Sequence, residues 1–259
     1  MNPSKRKPLV TLLHDLSDFL LPRRCLICHQ RLNPEEHTLC AACHVELPLT
    51  DHHLSEHSPL ERRFWGQIPV VRAASMLHHD GEKARRLIHL LKYHQHPEVA
   101  THLAALYARQ LKDSGFFLGI DCIIPLPLHW RRQLQRGYNQ SHYIARGIAR
   151  EVHLPICRNV VRRVVNNPSQ TTLSGKDRID NVQDIFRLTH PREIQGRHLL
   201  LIDDVTTTGA TLASCARELA KATQVKISIL TLSTASQTPL PHSPNAIPDP
   251  LVFGVPLVE

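Results

Sequence analysis

The stretch HLLLIDDVTTTGATL, residues 198–212, decides how the rest of the chain is read. Its unbroken apolar run, 198–202, predicts a strand buried on both faces, as in a parallel sheet covered by helices. The run leads into Asp203 and Asp204, and then into a loop of Thr206, Thr207, Thr208, Gly209 and Thr211 that opens a predicted helix over 211–222. Such a segment suits an anion beside a sugar. Gly209 permits a tight turn, backbone N–H groups at the helix start aim at a phosphate, and threonine hydroxyls add donors. The two carboxylates can accept hydrogen bonds from vicinal hydroxyls, or stand close to a Mg2+ ion. A plain turn with N-cap threonines needs no pair of acids at the end of an apolar strand.

Working outward, helical and strand patterns alternate from residue 82 to about 234, which predicts an α/β fold with a mostly parallel sheet flanked by helices. Helices are expected over 83–93, 99–112 and 141–152, and strands over 122–126 and 225–232. Residues 156–165 form a β-branched run, followed by a polar stretch without periodicity, 166–184. Five regions result: an amphipathic helix (1–22) closed by Pro22, a cysteine module (23–48), a connecting segment (49–81) with one strand over 68–77, the α/β domain (82–235), and a Pro-rich tail (236–259). The tail's proline density predicts extended or disordered chain. In the first region Asp15 and Asp18 interrupt the leucines, so an amphipathic helix is expected there and not a secretory leader. A cytoplasmic protein with reduced cysteines follows.

Cys25, Cys28, Cys40 and Cys43 give C-x2-C, eleven residues, C-x2-C. Two such knuckles complete a tetrahedron about Zn2+, and four protein ligands make the site closed and structural. Disulfides or a thioredoxin-like redox pair are the rival readings; neither pair opens a βαβ unit. His29, His37 and His44 stand close enough in sequence to replace a cysteine. Cys122, Cys157 and Cys215 read as small core residues.

The chain carries 31 Lys+Arg against 23 Asp+Glu, a formal net charge of +8. A solvated basic surface, a nucleic acid and a phosphorylated small molecule all fit that excess. An aromatic content of 5% argues against a long stacking platform for single strands. No apolar run reaches the roughly 18 residues of a membrane-spanning helix.

The acidic pair and threonine loop resemble the ribose-5-phosphate signature of type I phosphoribosyltransferases, which bind phosphoribosyl pyrophosphate (PRPP). Joined to the cysteine knuckles, the chain is similar to the ComF/GntX family, tied to competence and uptake of transforming DNA. Three further stretches carry the likeness: IIPLPLHWRRQLQRGYNQS (123–141), NNPSQTTLSGKDRIDNVQDIF (166–186) and the helix ending LLKY (90–93). The chain departs from many relatives at Val165, where they carry a basic residue. The resemblance implies a type I phosphoribosyltransferase-like fold in which Asp203 and Asp204 hold the ribose hydroxyls. Thr207, Thr208, Gly209, Ala210 and Thr211 cradle the 5-phosphate. Arg131, Arg132 and Arg136 face the pyrophosphate, and Lys176 and Arg178 close over it from a mobile loop, with Mg2+ bound alongside PRPP. Asp203, Asp204 and Arg178 are then the catalytic candidates.

The expected function is that of a ComF-like protein of DNA uptake carrying a Mg2+–PRPP site, either enzymatic or ligand-sensing. A metabolic phosphoribosyltransferase unrelated to DNA and a non-catalytic zinc-ribbon binding module are the alternatives. Single-stranded DNA and DNA-processing proteins are the expected partners. Some purine-salvage relatives place an acid where this chain has Thr207, which cannot act as a base near neutral pH, so hypoxanthine- or guanine-type salvage is disfavoured.

Overall fold

The computed structural model describes residues 22–93, 97–165 and 185–235. The predicted N-terminal helix and the tail fall outside these residues, as does the polar stretch 166–184 with Lys176 and Arg178. A parallel four-stranded sheet forms the centre, in the order β1 (Ala73–His78), β6 (Lys226–Thr234), β5 (His198–Thr206), β2 (Cys122–Pro125). Ile156 bridges in parallel to Ile123 at the outer edge of β2.

Side chains on a strand alternate between faces, and each face of this sheet has its own core. Ile123, Leu200, Ile202, Leu230 and Leu232 join one apolar cluster, whereas Cys122, Ile124, Leu199, Leu201, Ile227 and Ile229 join the other. The cysteine module (containing the short helix α1, Ala41–Val45) packs into the first cluster. So do the helices α3 (Glu82–Tyr93), α4 (Pro97–Asp113) and α6 (Gln140–Val152). The second cluster takes α7 (Ala210–Leu219), residues of and beside the short helix α2 (Pro59–Arg62), and the antiparallel pair β3 (Val161–Arg163) and β4 (Phe186–Leu188). Helices α4 and α6 approach closely because Gly147 has no side chain: a Cβ there would collide with the Thr101 carbonyl oxygen. Among the described residues no helix is long and apolar enough to cross a membrane.

Several elements depart from expectation. The segment 49–81 supplies β1, which pairs with β6, so the sheet begins before residue 82. The β-branched run 156–165 splits: Ile123 N–H donates to Pro155 O (2.9 Å) and Cys157 N–H to Ile123 O (2.9 Å), and only Val161–Arg163 pairs with β4. Residues 130–136, outside every helix and strand predicted above, form helix α5 (Trp130–Arg136), capped by His129 and ended by Gly137 at φ 78°. Strand β5 runs on to Thr206, four residues past its apolar run, because Asp203, Val205 and Thr206 stay in register with β6.

Candidate phosphate cleft and four-cysteine centre

That extension of β5 builds the cleft. Strand β2 stops at Pro125, opposite Ile202, and its last bond is Leu126 N–H to Ile202 O at 2.8 Å. Past that point β5 keeps β6 on one side only. The chain leaving β2 crosses outward to Ile156, while the chain leaving β5 crosses through α7 to β6. Ligands of open α/β sheets bind in the crevice where such crossovers diverge. A small, half-open cleft lies here, lined by Asp203 and residues 205–212. Thr207, Thr208, Gly209, Ala210 and Thr211 all line it, and Gly209, at φ 80°, is the N-cap of α7. The Ala210 N–H donates to Thr208 Oγ1 at 3.3 Å.

The acids sit inside β5 instead of at its end, and successive strand residues face opposite ways. Asp203 follows Leu199 and Leu201 and lines the cleft; Asp204 follows Leu200 and Ile202 and points to α3, where Lys92 Nζ lies 3.8 Å from its Oδ2. Asp203 Oδ1 accepts from Ser141 Oγ at 3.1 Å and from Asp204 N–H at 2.9 Å. Burial, followed by the neighbouring Asp204 charge, pushes the Asp203 carboxyl up to about 8; the hydrogen bonds and Lys92 oppose the rise without cancelling it. Asp203 is thus an oxygen donor that a divalent cation or a pair of ligand hydroxyls would draw into its ionised form.

The RGYNQS stretch is the clamp of this site. Gly137 ends α5, and the Tyr138 hydroxyl and Gln140 Nε2 both donate to Leu91 O near the end of α3. Asn139 caps α6, accepting from Ser141 N–H (3.1 Å) and donating from Nδ2 to Leu126 O (3.0 Å). Ser141 then reaches Asp203. The LLKY and RGYNQS stretches are therefore two halves of one contact.

Arg131, Arg132 and Arg136 lie on α5, which buries no residue, and none of them lines this cleft. Arg131 lies over the Trp130 ring at 5.2 Å, and Arg136 donates to Gln140 Oε1 at 3.2 Å. Four contributors were missed in the sequence: Arg63, Lys92, Ser141 and Arg163. Arg163, on β3, stacks on Phe186 at 5.7 Å. Burial lowers its pKa; Arg132 adds to that and Asp203 opposes it, so the three charges share one corner of the molecule. Arg163 also stands two residues before Val165, on the same side of the extended chain.

At the other end of the chain, the Sγ atoms of Cys25, Cys28, Cys40 and Cys43 all lie within 4.8 Å of one another. Cys28 and Cys40 Sγ are 3.6 Å apart, close to the ~3.8 Å edge of a tetrahedron with Zn–S bonds of about 2.3 Å. All seven cysteines are free thiols. Burial raises the Cys25 thiol, but backbone hydrogen bonds at Cys28, Cys40 and Ile27 outweigh it and bring it down to about 6. The donor set fits a structural Zn2+. Two of the neighbouring histidines turn elsewhere: His29 Nε2 contacts Arg86 at 2.6 Å, and the His37 ring meets His102 edge-on at 5.7 Å. Cys122 and Cys215 are buried and Cys157 half-buried, in or beside the second core.

Comparison with known proteins supports the four-cysteine centre and shows the family. The double zinc ribbon domain family matches residues 16–54. The DNA utilization protein YhgH of Shigella flexneri is 33% identical over 198 residues, covering 75% of this chain and 83% of that protein. Competence protein F of Haemophilus influenzae is 29% identical over 222 residues, covering 82% and 97%. Among solved structures, adenine phosphoribosyltransferase of Saccharomyces cerevisiae matches at 16% identity and a TM-score of 0.34, covering 54% of this chain and 71% of that one. The strand, acidic pair, glycine loop and helix follow one another within the parallel α/β sheet, and the four-cysteine cluster falls inside the double zinc ribbon match. The chain belongs to the ComF/GntX family of competence protein F and DNA utilization protein YhgH.

Proposed function

We propose that the cleft at 205–212 binds the ribose 5-phosphate end of PRPP together with Mg2+, in a protein that serves the uptake or use of DNA. The carrying observation is Asp203 on the cleft wall, held by Ser141, beside a glycine-capped helix start. Backbone donors of 207–211 take the 5-phosphate. Asp203 accepts from the ribose hydroxyls; Asp204, held toward Lys92, adds negative potential behind it. Arg132 and Arg163 form the positive corner that faces the pyrophosphate, and Arg131 and Arg136 extend it along α5. Lys176 and Arg178, which the family resemblance assigns to the same group, lie outside the described residues.

Bound Mg2+ supplies positive charge for the departing pyrophosphate. If transfer occurs, the chain's own residues act by positioning and by stabilising charge as the anomeric carbon becomes positive. Thr207 supplies no base. In this division of labour, residues 23–48 form the zinc module, and β1 with residues 82–235 forms the phosphoribosyltransferase-like domain. The DNA role is favoured by the names of the relatives and by the +8 charge, from which the arginines facing pyrophosphate must first be subtracted.

Calorimetric titration with PRPP and Mg2+ tests the site. Wild type binds, and Asp203→Asn combined with Asp204→Asn abolishes or sharply weakens binding; equal affinity in both proteins sinks the reading. Single-stranded DNA affinity should fall steeply between about 50 and about 200 mM salt if phosphate contacts carry it. Salt-insensitive binding, or none at low salt, counts against direct contact.

A further inference from the structure

The segment that reads as a connector folds back onto the phosphate loop. Ser58 caps α2, its Oγ accepting from Glu61 N–H (3.2 Å) and donating to the Ala73 carbonyl (2.8 Å). Glu61 Oε1 accepts from Ala73 N–H at 3.1 Å. These bonds fasten α2 to the start of β1 and bring the next two residues, Arg63 and Phe64, against the loop.

Arg63 donates to acceptors at the ends of two strands. From Nη1 it reaches the Thr207 carbonyl and Thr234 Oγ1 (3.1 Å), and from Nη2 the Ala235 carbonyl (2.9 Å). Ala235 N–H donates in turn to the Thr206 carbonyl at 3.0 Å, tying β6 to β5 at the loop. A guanidinium can serve such divergent acceptors at once because its donors form a rigid planar fork; an ammonium is a single point on a flexible stem. Phe64 is fully buried beside Gly209, where a Cβ would stand 2.9 Å from the Phe64 ring and 3.6 Å from Arg63 Cδ. The loop therefore rests on both residues.

The orientation of one peptide follows. A trans peptide unit carries its C=O and N–H on opposite sides. With the Thr207 carbonyl held by Arg63, the Thr208 N–H is turned away from Arg63. Thr207 and Thr208 line the cleft and Arg63 does not, so the far side is the cleft side. We propose that Arg63, from outside the cleft, is the positioning residue that aims the loop's backbone donors at the 5-phosphate, an inference resting on the reading of this cleft as a phosphoribosyl site. Arg63 touches no ligand in this scheme. Its role is to make the loop rigid before the phosphate arrives, so that binding does not have to order it.

Two measurements on the full-length protein separate this claim from the reading beneath it. The first is amide hydrogen exchange across 206–211 without ligand. The second is calorimetric titration with ribose 5-phosphate, Mg2+–PRPP and inorganic pyrophosphate. In Arg63→Ala the loop amides exchange faster, and affinity for ribose 5-phosphate and for PRPP falls about tenfold or more, the scale of a lost charge-assisted hydrogen bond. Pyrophosphate binding is retained. Arg63→Lys keeps the charge and the stem but not the fork, guards against a variant that fails to fold, and shows the same selective loss. Unchanged exchange with unchanged ribose 5-phosphate affinity in both variants overturns the proposal, as does equal loss of all three ligands. A wild-type protein that takes none of the three ligands overturns the phosphoribosyl reading, and the exchange result alone then decides whether Arg63 sets the loop.

Discussion

The four-cysteine centre and the proposed phosphate cleft are each built on a short motif, but they are held together over very different distances along the chain. The thiols come from residues 25–43, and their local supports are as near: Cys40 Sγ accepts from Cys43 N–H at 3.5 Å, and Leu26 N–H reaches Thr38 O at 3.1 Å. The cleft is held from afar. Ser141 reaches Asp203 across 62 positions and Arg63 reaches Thr207 across 144. A metal centre gathers its own folding free energy from its ligands, whereas an anion site made of backbone donors is only as good as the elements that brace it.

The largest effect that would break this comparison is loss of the metal. Cys43→Ser, or a strong chelator, should remove zinc from a protein that otherwise holds about one ion per chain, forfeiting on the order of 10–16 kcal/mol of apparent binding free energy. Trypsin should then cut at Arg23, Arg24 and Arg31. The melting temperature should fall as well, because Ile27, Leu32, Leu39 and Leu47 share a core with α3 and α4. A metal-free protein that resists trypsin at those sites would show the module standing on its packing instead.

Next in size is Gly209→Ala. The position combines φ 80° with a ring atom 2.9 Å from any Cβ, so the methyl group strains the backbone and displaces Phe64 together. A destabilisation of about 2–3 kcal/mol is expected. Phosphate-containing ligands should be lost with it, read by thermal melts and by titration with ribose 5-phosphate. A fully stable variant that still binds would mean that the loop sets its own shape without support from α2 and the residues after it.

The same contrast explains what was legible in the sequence. The C-x2-C spacing was enough to find the metal centre, since among the described residues no group outside residues 25–43 joins the cluster. Strand β5 was legible from its apolar run, but only as far as Ile202. Its continuation through two acids is set by the partner strand, where Asp203 lies opposite Thr231. Helix α5 was missed because WRRQLQR has no buried face: Trp130 and Leu134 are 59% and 74% exposed, so no amphipathic period points inward. Helix α2 carried a readable signal in Ser58-Pro59-Leu60-Glu61, an S-x-x-E start with proline at the first helical position, although it lies in a stretch otherwise read as loop. Arg63, Lys92 and Arg163 had no local signal. Each acts on a residue forty or more positions away, and only the packed sheet brings them to β5 or its loop.

A smaller effect sharpens the comparison through pH. The Asp203 carboxyl moves from 3.8 to about 8 on folding, so between those values the folded protein binds a proton that the unfolded chain releases. Stability on this account is greatest at low pH and falls as pH rises through about 8. Asp203→Asn removes the dependence, and chemical denaturation at mildly acid and mildly alkaline pH should show a flatter profile than wild type. Ligand binding near neutral pH should also release protons from the wild type but not from the variant, detectable by calorimetry in buffers of different ionisation enthalpy. Identical profiles in both proteins would place the raised pKa elsewhere.

The smallest effect concerns Lys92, which contacts the acid pair directly. Its Nζ lies 3.8 Å from Asp204 Oδ2, with the two side chains 26% and 15% exposed, so solvent screens the pair only partly. The same charge lowers the pKa of Asp203. Lys92→Met keeps most of the stem's packing and removes the cation, at a cost of about 1 kcal/mol in stability. It should also move the proton-release midpoint of Asp203 upward, because the carboxylate form loses a stabilising neighbour. A purely structural lysine would lower stability without shifting that midpoint, and a midpoint that stays put would detach Lys92 from the electrostatics of the cleft. If the midpoint rises, the cation carried by the last turn of α3 tunes an acid on β5. The LLKY stretch then contributes charge to the site as well as the Leu91 carbonyl that anchors Tyr138 and Gln140.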